Sequence, residues 1–375
     1  KASDGALDST VKTVTITVIR GYKTTQTQIG ADIDGEAAID NSGKSVSFNE
    51  DHTIMAIGAS GNDETGDKAG HVRVYSWDGS AKNWTQLGAD INGEAAGDYS
   101  GKSVSLSSDG TIVAIGAYTN DGTGTDAGHV RVHKFNGTAW TQLGADIDGE
   151  AAGDKSGWSV SLSSDGTTLA IGAPESDGTA SNAGHVRVYS WDGSAWTQLG
   201  ADIDGEALGD WSGYSVSLSS DGTIVAIGAW GNDGSGAKAG HVRVYQYNGT
   251  AWTQLGADIN GEAADDQSGY SVSLSSDGTI VAIGARYNDD SGYNAGHVRV
   301  YKYNGTAWTQ LGADIDGEAA GDYSGNSVSL SSDGTIVAIG AYTNDGTGTY
   351  AGHVRVKKYN GTAWTQLGAD INGEA

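Results

Sequence analysis

"SVSLSSDGTTLAIGAPESDGTASNAGHVRVYSWDGSAWTQLG" runs from Ser159 to Gly200 and holds four apolar stretches divided by turn residues. "SVSLS" alternates, with Val160 and Leu162 on one side, the period-2 pattern of a half-buried strand. "TTLAIGA", written "TIVAIGA" in sister copies such as Ile112 to Ala117, is apolar without a break, which predicts a strand buried on both faces. "GHVRVY" alternates again, and "AWTQLG" carries a single Trp. "SSDG" between the first two stretches and "DGS" between the last two are hairpin turns, where glycine supplies the positive φ. No segment anywhere has a helical period.

The unit recurs. "GADI" begins at Gly30, Gly88, Gly144, Gly200, Gly256, Gly312 and Gly368, a first step of 58 residues and then steps of 56. Four antiparallel strands per repeat at a fixed period predict an all-β fold, a β-propeller of four-stranded blades. Period-2 patterning excludes a helical solenoid, and a β-helix has shorter coils and parallel strands. The expected propeller spans 21–375, with blades at about 30–87, 88–143, 144–199, 200–255, 256–311 and 312–367. "TTQTQIG" at Thr24 to Gly30 matches "TAWTQLG" and reads as a lone outer strand ahead of the first blade. That points to seven blades in a longer parent chain, with a six-bladed ring and a redundant strand as the alternative. Residues 1–20 carry a strand, "VTITVI", and resemble the last strands of bacterial cadherin-like or Ig-like domains.

Composition narrows the partners. The 375 residues include 60 Gly, one Pro and no Cys, so disulfides, thiolate metal sites and thiol nucleophiles are absent. A net charge of −26 disfavours nucleic acid and anionic membrane. No apolar run reaches the ~20 residues of a spanning helix.

"SGWSVSLSSDGTTLAIGAP" at Ser156 to Pro174, followed by "GHVRVYSWDGSAWTQLG" from Gly184, resembles FG-GAP repeats, the units of integrin-α-like propellers. The likeness extends over all six repeats, with departures. Phe-Gly of the family is Ser-Gly here, and Gly-Ala-Pro occurs only at Gly172 to Pro174. The family's calcium loop lies between the first two strands, where this chain has only a minimal "SSDGT" turn, so those sites do not carry over. The resemblance implies an extracellular or cell-surface module for recognition or adhesion, without enzymatic activity.

Strand alternation puts both tight hairpins on one face of the disc and the long connections on the other. The hairpin face hardly changes between copies; the loop face does. After "GD" the chain reads Tyr99, Lys155, Trp211, Gln267 and Tyr323. At the entry to the first strand it reads Lys44, Lys102, Trp158, Tyr214, Tyr270 and Asn326. After "IGA" it reads Ser60, Tyr118, Pro174, Trp230, Arg286 and Tyr342. Trp, Tyr, Arg and Lys are the residues of binding hot spots, and exposed rings suit stacking on sugars. The candidate ligand-binding set is therefore Tyr99, Tyr118, Lys155, Trp158, Trp211, Tyr214, Trp230, Tyr270, Arg286, Tyr323 and Tyr342. Free drift of loop positions is the competing explanation.

The connection "DIDGEAAGD" supplies acids at Asp146, Asp148, Glu150 and Asp154, and again at Asp202, Asp204, Glu206 and Asp210. Alternating oxygens around a glycine are a candidate calcium site. The alternative is an Asx-type turn with the Glu paired to an Arg such as Arg131. His71, His129, His185, His241, His297 and His353 all stand in "GHV" and are expected to make a structural hydrogen bond to a neighbouring blade. A catalytic pair needs two unlike acids converging on one substrate, and every acid here has near-copies, so no enzyme is expected. The expected function is binding of a glycan or an extracellular protein through the aromatic loop face. The alternative is a spacer or a self-assembling filament or surface-layer subunit, with copies of the chain as the partner.

Overall fold

The computed structural model describes Thr13–Val14 and residues 28–373. Among them there is no helix, and the fold is an all-β propeller of six blades, each a four-stranded antiparallel meander. Blade 3 is representative. Its strands are Ser159–Leu162, Thr168–Ala173, His185–Trp191 and Trp196–Gln198. The second strand is buried along its whole length, as its unbroken apolar sequence requires.

The outermost strand is short and meets only the far half of the third, pairing Tyr189 with Gln198 and Trp191 with Trp196. The near half of the third strand is completed by two residues of the following connection, Ile203–Asp204, which pair with Val186 and His185. "GADIDGE" therefore contributes a fifth, two-residue strand, which the sequence pattern did not reveal. Isoleucine is the buried half of it, and Ile203 is 5% exposed.

Blades join through a repeated seam. Apolar side chains from facing blades interlock, as where Val130, Val132 and Ile147 meet Leu162, Leu169 and Ile171. Near the axis the backbones almost touch. Ser103 Oγ donates to the Gly157 carbonyl at 2.8 Å, and the Leu162 N–H donates to Ser105 Oγ at 2.9 Å. A Cβ on Gly116 would lie 2.0 Å from that Gly157 oxygen, so only glycine permits the approach. At the rim, Arg187 Nη2 donates to the Asp148 carbonyl at 2.6 Å and Trp196 Nε1 to the Leu143 carbonyl at 2.9 Å. The invariant Trp of each repeat is thus a clamp onto the preceding blade.

The expected cadherin-like or Ig-like remnant at 1–20 falls almost wholly outside the described residues. The described part, Thr13–Val14, pairs with Ile33–Asp34 at the start of the first connection.

Candidate functional site

The three variable positions share a place because of the meander. Two precede the first strand and one follows the second, so all emerge at the same end of the inner strand pair. The first of them is held in the left-handed region in every blade that varies, with φ of 52° at Tyr99, 59° at Lys155, 57° at Trp211 and 52° at Tyr323. That conformation costs a residue with a Cβ roughly 1 kcal/mol or more, least for Asn or Gly. Blade 1 has Asn41 there, at φ 54°. Bulky rings at a position where Asn is easier mark a constraint other than folding.

The rings converge into one cluster. Tyr99 contacts Tyr118 at 5.6 Å between centroids, Tyr118 contacts Trp158 at 5.0 Å, Trp158 contacts Tyr214 at 5.2 Å, and Tyr214 contacts Tyr270 at 4.8 Å. Trp211 packs on Trp230 at 5.4 Å, and Trp230 meets Tyr214 edge-on. Tyr323 stacks on Tyr342 at 5.4 Å and meets Tyr287 edge-on. Such tilted and edge-on pairs are the favoured geometries of aromatic quadrupoles. The Tyr214 hydroxyl donates to that of Tyr270 at 2.8 Å, and burial together with this partner pushes the Tyr214 pKa well up. Trp230 Nε1 is buried with no hydrogen-bond partner among the described residues.

Cations lie on these rings. Lys102 Nζ sits 4.0 Å from the centre of Trp158, and the Arg286 guanidinium 3.6 Å from Tyr270 and 4.6 Å from Tyr287. Lys155 is 5.7 Å from the Tyr118 ring and pairs with Asp126 at 2.8 Å. Burial, with a smaller contribution from the Lys44 charge, lowers the Lys102 ammonium to about 8. Nearby, burial raises the Glu175 carboxyl against the pull of Lys155. All eleven residues of the candidate binding set lie in these contacts. Lys102 and Tyr287 belong with them and were missed. Lys102 occupies the same repeat position as Trp158, so position rather than residue type was the signal.

The acids of one "DIDGE" loop do not converge; they are divided between two blades. Asp146 groups with Glu94 and His129, whereas Glu150 groups with His185 and Asp202, the ligand atoms of each group lying within 4.8 Å of one another. Glu206 and Asp210 group with His241. These sets could hold a divalent cation, and their nitrogen donor suits a transition metal better than calcium. Most of the predicted acids, members of these groups among them, also have structural partners. Asp154 Oδ2 accepts from the Ala151 N–H at 2.9 Å and Asp210 Oδ2 from the Ala207 N–H at 2.9 Å. Asp148 and Asp204 present their backbone carbonyls to the rim arginines, Asp202 Oδ1 accepts from Gln198, and Glu150 Oε1 pairs with Arg187 at 3.5 Å.

The histidines depart from expectation. His185 Nδ1 bonds Ser176 within its own blade at 3.0 Å, not a neighbour. In the other blades Asn fills the Ser176 place, and the imidazole nitrogens find little. His71 and His297 are buried with no hydrogen bond to either nitrogen, although Nδ1 of His71 lies 3.8 Å from Asp90 and that of His297 3.9 Å from Glu262. Burial drives all six "GHV" imidazoles toward the neutral form, with His241 and His297 lowered to about 4.

The fold is shared with solved structures of low sequence identity. A protein assigned as a 6-phosphogluconolactonase from Bacteroides uniformis superposes with a TM-score of 0.62 at 14% identity, over 93% of this chain and 89% of its own. The Pseudomonas aeruginosa periplasmic gluconolactonase gives 0.59 at 15%, over 88% and 86%. The propeller of Cps50 (Swd1) from Myceliophteria thermophila gives 0.51 at 11%, over 88% and 86%. No curated protein matches the chain in sequence. Identities this low establish the architecture alone.

They nevertheless overturn one expectation. The exclusion of enzymes rested on sixfold equivalence of the acids. Lactonases occur on this architecture, and the loop-face cluster is itself asymmetric, with one Lys102 and one Glu175. The exclusion does not stand. The FG-GAP repeat model matches residues 92–132, 146–189 and 260–301. In blades 2, 3 and 5, therefore, the chain is similar to FG-GAP repeats.

Proposed function

We propose that the chain binds carbohydrate through the aromatic cluster of its loop face, and that acidic sugars are preferred. The observation that carries this reading is the unbroken series Tyr99–Tyr118–Trp158–Tyr214–Tyr270, capped by Lys102 on Trp158 and Arg286 on Tyr270. Rings supply flat apolar area for pyranose faces at low conformational cost. Lys102 and Arg286, each lying over a ring of the series, are a local exception on a chain of net charge −26 and favour a carboxylate or sulfate on the ligand. An extracellular or cell-surface setting belongs to the proposal, supported by the FG-GAP match.

The test is a glycan array containing neutral, uronic-acid and sulfated oligosaccharides, followed by calorimetry on the best ligand. Binding is expected for acidic members, with Trp158→Ala and Trp230→Ala each weakening it by about 30-fold or more. Absence of binding across the array, together with self-assembly of the chain, would sink the proposal in favour of a structural subunit.

A further inference from the structure

The loop between the second and third strands of each blade runs through "ND" or "SD" into one further residue. That residue is glycine in four blades, Gly122, Gly178, Gly234 and Gly346, but Glu64 in blade 1 and Asp290 in blade 5. The backbone is held alike in both cases. The Asp290 N–H donates to Asn288 Oδ1 at 3.0 Å and the Glu64 N–H to Asn62 Oδ1 at 2.9 Å, as the Gly122 N–H donates to Asn120 Oδ1 at 2.8 Å. A Cβ on Gly122 would lie 3.2 Å from Asp148 Oδ1, so the position looks toward the acids of the following connection. A carboxylate added there joins a group of like charges, which is unfavourable unless a cation sits among them.

The added acid completes a set of donors. Glu262, Asp290, His297 and Asp314 each bring one ligand atom into a group whose atoms lie within 4.8 Å of one another, and Glu36, Glu64, His71 and Asp90 do the same in blade 1. The groups around His129, His185 and His241 have three members. The imidazole is the buried member, His71 being 0% and His297 1% exposed. Of the six "GHV" histidines, only these two have both nitrogens buried without a hydrogen bond among the described residues, and they are the two beside the added carboxylate. Their Nδ1 atoms face the acids. That of His297 is 3.9 Å from Glu262 Oε2, and that of His71 is 3.9 Å from Glu36 Oε2 and 3.8 Å from Asp90 Oδ2. The other oxygen of each glutamate pairs with the rim arginine, Glu262 with Arg299 at 3.3 Å and Glu36 with Arg73 at 3.6 Å. Such a partner fixes which oxygen is turned toward the imidazole.

We propose that blades 1 and 5 each bind a divalent transition-metal ion of the zinc type, through Glu36, Glu64, His71 and Asp90 in one and Glu262, Asp290, His297 and Asp314 in the other. One imidazole nitrogen and three carboxylate oxygens are donors that zinc takes in a four-coordinate shell. Donors bound tetrahedrally to zinc stand about 3.4 Å apart. Separations of 3.8 and 3.9 Å therefore close by small rotations of the more exposed acids, while the buried imidazole stays in place. Calcium seeks about six to eight oxygens and gains little from an imidazole. The set is also not the calcium loop expected from the sequence. It draws on two connections, a loop and a strand, and its distinguishing members, the imidazole and the added acid, lie outside "DIDGE". None of its residues belongs to the aromatic cluster. The ion would pin the loop carrying Asp290 to the connections that enter and leave its blade.

The test uses the untagged full chain, stripped with a chelator and titrated calorimetrically with zinc chloride, with calcium chloride as a parallel arm. About two zinc ions per chain are expected, bound roughly tenfold or more tightly than calcium, with a melting midpoint raised by about 3 °C or more at saturation. Glu64→Gly and Asp290→Gly install the residue that four other blades carry, so the circular dichroism of the chain should not change, and each should remove one ion. His297→Gln should likewise remove the ion of blade 5. No zinc binding by the unaltered chain, a stoichiometry that the double glycine variant leaves unchanged, or calcium binding as tight as zinc would each overturn the inference.

Discussion

The seam between blades and the loop face above it are made from the same repeats and obey opposite rules. In the seam, Ser103, Gly116, Leu162, Arg187 and Trp196 have counterparts in the other blades, because each makes its contact with a neighbouring blade or the connection to it. On the loop face, Tyr99, Lys155, Trp211 and Gln267 replace one another at one backbone conformation. Sequence identity between copies therefore marks contacts made to the protein itself. Difference between copies marks contacts that folding does not dictate. The aromatic choice at those places, against the local φ preference, is what turns variation into a candidate for binding.

The comparison can be broken most severely at the seam. Gly172→Ala places a Cβ 2.0 Å from the Gly213 carbonyl and is expected to cost about 3 kcal/mol or more. Gly340→Ala, which meets only a rotatable serine hydroxyl, should cost under about 1 kcal/mol. Denaturant midpoints of the two variants decide; equal losses would mean that the sixth face is packed like the others.

Acid provides the next largest effect. The buried histidines have lowered folded-state values, His133, His241 and His297 to about 4, so the unfolded chain binds more protons between pH 6.5 and 4. Stability should be full above pH 6.5 and fall progressively as pH drops through that window. His297→Gln should flatten the profile in a urea titration at several pH values; a profile unchanged by it would place the acid sensitivity elsewhere.

On the loop face the signs differ. Trp211→Asn should weaken acidic-sugar binding while raising stability by about 1 kcal/mol, because Asn tolerates the left-handed conformation. Loss of both stability and binding would return Trp211 to a purely structural role. The smallest effect concerns Lys102. With its ammonium lowered to about 8, stability should rise between pH 8 and 10.5, and Lys102→Met should remove that rise. Binding of an acidic sugar should tighten as pH falls through 8, since the ligand favours the protonated lysine.

The architecture was legible because its causes are local and recur: a doubly buried second strand, alternating neighbours and glycine turns, copied at a fixed step. The convergence of eleven loop residues was legible for the same reason, as equal repeat positions must share one face. Three things were not. The two-residue strand Ile203–Asp204 is too short to show a period. The division of Asp146 and Glu150 between blades depends on where the connection crosses, which spacing does not report. Lys102 stood among the variable positions but outside the candidate set, because only its approach to the Trp158 ring brings it into the cluster.

The connection that completes one blade and grips the next also sets the order of events during synthesis. Blade 3 lacks the cover on its third strand until Ile203 has left the ribosome, and lacks its rim lock until Arg243 reaches the Asp204 carbonyl. Each nascent blade therefore waits on residues of its successor. With copies this alike, that delay is the interval in which a strand could be captured by the wrong blade, and the short distance in sequence to the correct partner is what limits the error.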